Sequence, residues 1–199
     1  MRRLINQYNI KKIEIRNRLN DFKSLSEEEK FKEFLFCLLT PQSNAQRCWQ
    51  AVEEISQLKN FDENRIFNIL KTKTRFHITK TARIMRARES WDKIRNSLDK
   101  LDGKDLRNFI ADNVYGYGLK EASHFLRNIG KSDHKIAILD RHILKNLFNS
   151  GLIEDMKIKN KKNYFEVEKI FLEFADRLDM SADELDLLWW SQENGEIFK

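Results

Sequence analysis

The sequence predicts an all-α protein of 199 residues, built as one domain or as two helical lobes around a cleft. Three observations lead there. Proline occurs once and glycine six times, while the helix-favouring Leu, Ile, Lys and Glu are abundant. Apolar residues recur at three- and four-residue spacing, and no segment alternates as a half-buried strand does. The apolar fraction is 41%, with 14 Phe and 4 Trp, so a sizeable core can form.

The elements follow in order. Residues 3–22 read as one amphipathic helix, with Leu4, Ile5, Tyr8, Ile13, Leu19 and Phe22 set among charges. Ser26-Glu27-Glu28-Glu29 is a capping box: the serine accepts from the third helical N–H and Glu29 reaches back. The helix it opens carries Phe31, Phe34, Leu35, Leu38 and Leu39 at core spacing. It ends at Thr40-Pro41, where the proline restricts the residue before it. Ser43-Asn44-Ala45-Gln46 repeats the capping pattern and opens a helix with Ala45, Trp49 and Val52 on one face. Helices are expected over 63–71 and 79–98, the second with Ile84, Trp91, Ile94 and Leu98 inward, and a loop over 72–78. Another helix follows Gly103 and carries Leu106, Phe109, Ile110 and Val114.

The pattern breaks at Tyr115-Gly116-Tyr117-Gly118. A helix over 119–129 comes next, stopped by Gly130 in a left-handed cap. The connector 131–139 holds the apolar patch Ile136-Ala137-Ile138-Leu139. Asp140 caps a helix that runs to about Ser150 and ends at Gly151. A basic linker is expected over 154–163, then two helices over about 164–178 and 182–192, the last capped by Ser181 with Glu184. No internal repeat or low-complexity tract is present.

Net charge is +6 with 34% charged residues, which suits an anionic partner such as nucleic acid. Cys37 and Cys48 are the two cysteines. They form no metal-ligand motif and read as buried thiols in a reducing compartment. Their number excludes a four-cysteine iron–sulfur cluster. The start, Met1-Arg2-Arg3-Leu4-Ile5-Asn6-Gln7, turns polar too soon for a secretion signal, and no apolar run spans a membrane. The expected location is cytoplasmic, with the nucleoid.

Val114-Tyr115-Gly116-Tyr117-Gly118-Leu119-Lys120-Glu121-Ala122 joins two helices and resembles the helix–hairpin–helix element of DNA-binding proteins, over about 105–130. Two glycines in three residues permit positive φ and close approach of a ligand. The helix that starts at once offers its first N–H groups to a phosphate oxygen. Gly116, Tyr117 and Gly118 are therefore candidate DNA-binding residues. In this family a monovalent ion, potassium or sodium, often bridges hairpin carbonyls to the phosphate. No other metal and no cofactor are expected.

Lys120 opens the second helix, and Asp140 opens the next one twenty residues later. That layout resembles the helix–hairpin–helix DNA glycosylases. The runs Lys120-Glu121-Ala122-Ser123-His124-Phe125-Leu126-Arg127-Asn128, Leu139-Asp140-Arg141-His142-Ile143-Leu144 and Glu184-Leu185-Asp186-Leu187-Leu188-Trp189-Trp190, with the terminal Lys199, are similar to the archaeal-type 8-oxoguanine DNA glycosylases. The resemblance covers most of 1–199 and implies a single glycosylase domain, with the helices over about 164–192 packing back on the first lobe. It implies action on double-stranded DNA that contains oxidised guanine; a monomer and no membrane partner are expected.

The chemistry follows from the residue types. A lysine attacks the sugar only when neutral, and a helix N-terminus and partial burial both favour loss of its proton. The carboxylate of Asp140 stabilises positive charge that builds on the sugar as the base leaves. The amine adduct then opens to a Schiff base, and elimination nicks the strand. His124, one turn after Lys120, either approaches a phosphate or supports the site from within. Arg127, Arg141 and His142 are candidates for phosphate contact or structural pairing. By resemblance, Gln42 or Asn44 fills the gap left by the extruded base, Trp190 stacks on that base, and Lys199 helps recognise it; Trp189 packs inward. The alternatives are another glycosylase specificity on the same fold (oxidised pyrimidine or mismatch) and a DNA-binding module without catalysis. Such a module would not account for Lys120 paired with Asp140.

Overall fold

The computed structural model describes residues 2–199; Met1 and the side chain of Asn194 lie outside the described residues. Ten helices and no strand occur among them. They are α1 (Arg2–Lys23), α2 (Glu27–Leu39), α3 (Ala45–Ser56), α4 (Glu63–Lys73), α5 (His77–Ser97), α6 (Gly103–Asn113), α7 (Leu119–Asn128), α8 (Arg141–Asn149), α9 (Lys161–Arg177) and α10 (Ala182–Asn194). The chain forms two compact units, one of residues 25–125 and one of residues 1–24 with 126–199. The boundary falls inside α7, so one continuous helix belongs to both.

In the unit 25–125, α2 is the buried centre and packs on α3 and α5. Every residue from Phe34 to Leu39 is fully buried, as a helix apolar all round must be. Phe34 gathers Phe31, Trp91, Tyr117 and Phe125 at centroid distances of 5.1–6.5 Å. Cys37 and Cys48 are free and buried.

In the other unit α10 is the centre and packs on α1, α8 and α9. Its first turns carry three buried acids, each with a partner. Asp183 accepts from Ser132 Oγ and lies 2.7 Å from His134 Nδ1. Glu184 accepts from Tyr8 Oη at 2.6 Å and Arg16 Nε at 2.8 Å. Asp186 lies 3.2 Å from Arg127 Nη2. Acids at a helix start meet the positive end of its dipole, and partners make their burial tolerable.

The caps at Ser26, Asp140 and Ser181 form as the sequence predicts. Gly130 ends α7 at φ +67° with Lys131 N donating to Leu126 O and Gly130 N to Arg127 O, the Schellman pattern. Some boundaries differ. α3 is capped by Asn44, which accepts from Arg47 N, because the Ser43 hydroxyl is taken by Lys80 and by the Arg75 amide. The expected loop over 72–78 shrinks to 74–76, since Phe76 turns left-handed at φ +58° and lets α5 begin at His77. Asn160 caps α9 by accepting from Asn163 N, so the basic stretch already enters the helix at Lys161. Trp91 and Trp49 are half-buried rather than enclosed.

Burial opposes the ionised form of Glu184, but the bonds from Tyr8, Arg16 and Ser181 outweigh it and hold its carboxyl at about 2, below the usual 4.5. A lowered carboxyl stabilises the fold above its unfolded value and loses that contribution as pH falls through the folded one. Wild type should therefore lose on the order of 2 kcal/mol between pH 4.5 and 2. Glu184→Gln should lack this acid limb when urea midpoints are compared across that range; parallel curves would refute the assignment.

Candidate functional site

The turn between α6 and α7 is built around Tyr117. Its ring is 7% exposed and stacks on Phe34 at 5.1 Å, and its hydroxyl donates to Phe34 O at 2.8 Å. The Tyr117 side chain is thus turned inward, and a DNA contact from this residue falls to its backbone at the turn. Tyr115, two residues earlier, is 53% exposed.

The glycines differ in role. Gly116 has φ +92°, where a side chain is strained. A Cβ there would stand 2.5 Å from Arg83 Cδ and 2.7 Å from Nε. Of the two glycines that permit a positive φ, only Gly116 uses it; Gly118 does not. It starts α7 instead: its carbonyl accepts from Ala122 N, and its amide donates to Glu121 Oε2 at 3.0 Å. This is the reach-back half of a capping box. Val114 O accepts from Tyr117 N. The neutral carbonyls of 115–117 at the tip are then the oxygens suited to a monovalent cation. No group of three or more His, Cys, Asp or Glu with metal-site spacing occurs among the described residues.

Lys120 stands in the first turn of α7 with its side chain 23% exposed, its Nζ 3.3 Å from Glu121 Oε1. Glu121 thus holds the hairpin amide with one oxygen and the lysine with the other. Sequence reasoning gave Glu121 no role, although the Gly118-x-x-Glu121 spacing is a capping signal.

Lys80 was also missed. It is 2% exposed on α5 and donates to Leu39 O at 2.7 Å, Pro41 O at 3.0 Å and Ser43 Oγ at 2.7 Å. Burial pushes its amine down to about 8, with Arg83, Lys120 and Arg75 adding to the fall. Its three bonds hold the turn Thr40-Pro41-Gln42-Ser43, closed by Ser43 N donating to Thr40 O. Gln42 sits there at φ +55°, a position where glycine is usual, and is exposed. Asn44 spends its side chain on the α3 cap. Both candidates for filling a gap in DNA are exposed, but only Asn44 has its side chain engaged in a cap.

His124 is 9% exposed and packs edge-on against Phe36 at 5.7 Å. It lies among buried groups, which disfavours direct contact with a phosphate.

In the other unit Asp140 caps α8, with Oδ1 accepting from His142 N at 2.8 Å and Ile143 N at 2.9 Å. Oδ2 makes no hydrogen bond among the described residues. Arg141 is exposed, and its Nε donates to His142 Nε2 at 3.1 Å; His142 Nδ1 lies 3.5 Å from Glu193 Oε2. Arg127 is 2% exposed and pairs with Asp186, so it is structural. Trp189 is 3% exposed against Phe171 and Phe174, while Trp190 is half-buried. The tail is tied down by Arg18 Nε donating to Phe198 O at 2.7 Å, and Lys199 is 6% exposed.

A glycine turn that opens a helix on a lysine, in an all-α chain, defines a helix–hairpin–helix protein. The chain belongs to the 8-oxoguanine DNA glycosylase family, whose sequence model matches residues 15–180. It is 36% identical over 200 aligned positions to the 8-oxoguanine DNA glycosylase/AP lyase of Fusobacterium nucleatum, covering 92% of this chain and 90% of that one. Among solved structures, the 8-oxoguanine DNA glycosylase of Thermotoga maritima superposes with TM-score 0.90 at 32% identity, covering 100% of this chain and 97% of that one. The Methanocaldococcus jannaschii 8-oxoguanine glycosylase/lyase in complex with a 15mer DNA containing 8-oxoguanine gives TM-score 0.87 at 31% identity, covering 98% and 99%.

Gly116→Ala should cost about 1–3 kcal/mol from the left-handed strain alone. Gly118→Ala, with ordinary φ and Glu121 Oε2 at 3.1 Å from the new Cβ, should cost less. Thermal unfolding of the two variants checks the order, and equal losses would contradict it.

Proposed function

We propose that this chain removes 8-oxoguanine from double-stranded DNA and then cuts the strand beside the lesion, as a bifunctional DNA glycosylase and apurinic/apyrimidinic lyase. The whole of residues 1–199 serves as one glycosylase domain and works as a monomer on the nucleoid. The observation that carries the reading is Lys120: a half-buried primary amine in the first turn of α7, directly after the glycine turn, in a chain of this family.

The target nucleotide must leave the helical stack, at a cost of a few kcal/mol. Free backbone N–H groups at the start of α7 hold a strand phosphate, with Gly116 making the turn and Gly118, whose amide is taken by Glu121, opening the helix. Carbonyls of 115–117 would hold a monovalent cation there, which adds positive charge beside the phosphate. Gln42 enters the space vacated by the base; its strained, outward placement supports that role. Arg141 and His142 contact phosphate beside α8, and His124 supports α7 from the interior. Trp190 stacks on the extruded base, and Lys199 recognises its oxidised edge.

Neutral Lys120 attacks the anomeric carbon. Its electron pair forms the new C–N bond as the glycosidic bond breaks, and the base departs with the electron pair of the glycosidic bond and takes up a proton. Asp140 stabilises the positive charge on the sugar. Its Oδ2, which holds no backbone amide, supports that assignment. The sugar ring then opens to a Schiff base. Loss of a C2′ proton expels the 3′ phosphate, and water releases Lys120.

Lys120→Gln should abolish both base release and the borohydride-trapped protein–DNA product on an 8-oxoguanine duplex. Full activity in that variant would overturn the mechanism, and a preference for uracil, thymine glycol or alkylated adenine would overturn the specificity. Asp140→Asn should keep the α8 cap and slow base release about 10²-fold. Single-turnover kinetics beside a thermal melt separate the two effects.

A further inference from the structure

Arg83 and Arg86 lie one helical turn apart on α5, and both meet the tip of the α6–α7 turn. Arg83 lays its aliphatic stem across Gly116, so closely that a Cβ would touch Cδ, Nε and Cγ at 2.5–2.8 Å. Its Nε is shut from solvent without a hydrogen-bond partner. Its terminal amino groups make no hydrogen bond among the described residues, and the side chain is half-buried. Arg86 sets its guanidinium 4.1 Å over the exposed ring of Tyr115. Neither arginine forms an ion pair among the described residues. Elsewhere on the same helix Arg95 has Asp92 at 3.6 Å.

Two guanidinium groups without a carboxylate, one set beside a missing side chain and one over a ring, are an arrangement that protein charges alone do not balance. Arg83 shares a positive field with Lys80, on which Lys120 and Arg75 also act. Planar guanidinium forks match phosphate oxygens. We infer that Arg83 and Arg86 form a second phosphodiester clamp, supplied by α5 and registered by Tyr115 and Gly116. The clamp grips the DNA strand next to the phosphate held by the start of α7. Gly116 then serves two ends: it makes the turn, and it leaves room for the arginine that the turn aligns. This inference rests on the DNA-binding reading above and adds to it ligands outside the hairpin.

The test is binding of a duplex carrying a tetrahydrofuran abasic analogue, which cannot form a Schiff base, across a series of KCl concentrations. Each phosphate contact contributes about 0.9 to the slope of log K against log salt. Arg83→Gln and Arg86→Gln should each bind about tenfold more weakly and lower that slope by about 1. Arg83→Lys should keep most of the slope, and Arg95→Gln should change neither quantity. A wild-type slope in either glutamine variant overturns the assignment for that arginine. Should Arg83→Gln not fold, the exposed Arg86→Gln and the charge-preserving Arg83→Lys still decide. Borohydride trapping of wild type on an 8-oxoguanine duplex separates the readings: trapping with unchanged slopes ends only the clamp, whereas lowered slopes without trapping end only the glycosylase mechanism.

Discussion

The placement of Tyr117 governs the candidate site. Its ring fills the aromatic cluster around Phe34, and its hydroxyl closes on the Phe34 carbonyl. Burying so large a ring stabilises the fold by roughly 2 kcal/mol, and it ties the turn to the interior of α2. With Tyr117 inward, the chain on either side must reverse. Gly116 absorbs the reversal in a left-handed conformation, and Gly118 begins α7 with its amide on Glu121. Lys120 therefore stands at a fixed place on a helix whose Ala122 and Phe125 are fully buried. A nucleophile on a packed helix keeps its geometry better than one on a loop.

The same economy of buried polar groups recurs around Lys80. One amine with three donors satisfies the end of α2, the proline carbonyl and Ser43. Those bonds hold Gln42 in a backbone conformation that a free chain would leave. Phe76 is likewise left-handed, and its neighbour Arg75 donates its amide to Ser43. Two strained residues thus share one set of hydrogen bonds. Strain held by surrounding structure is common where a protein must present a side chain to a ligand, and here it falls on an outward-facing glutamine.

In the other unit, stability rests on acids buried at the head of α10. Asp183, Glu184 and Asp186 would each be costly alone. Histidine and serine, tyrosine and arginine, and a second arginine answer them one by one. Asp140 belongs to a different arrangement, since its capping bonds use one oxygen and leave the other without a backbone amide.

Local signals account for most of what the residues alone made legible. Capping serines at 26 and 181, the aspartate cap at 140 and the stop at Gly130 act within a few residues, so spacing alone marks them. The all-α class and the lysine at the head of α7 were legible for the same reason. Tertiary packing decided the rest. Whether Tyr117 points in or out depends on Phe34, eighty-three residues away. Ser43 lost its role as a cap because Lys80 reaches it from another helix. Glu121, Lys80 and Arg83 looked like ordinary surface charges in a chain rich in them, because a charge's meaning depends on which partners folding brings to it or withholds.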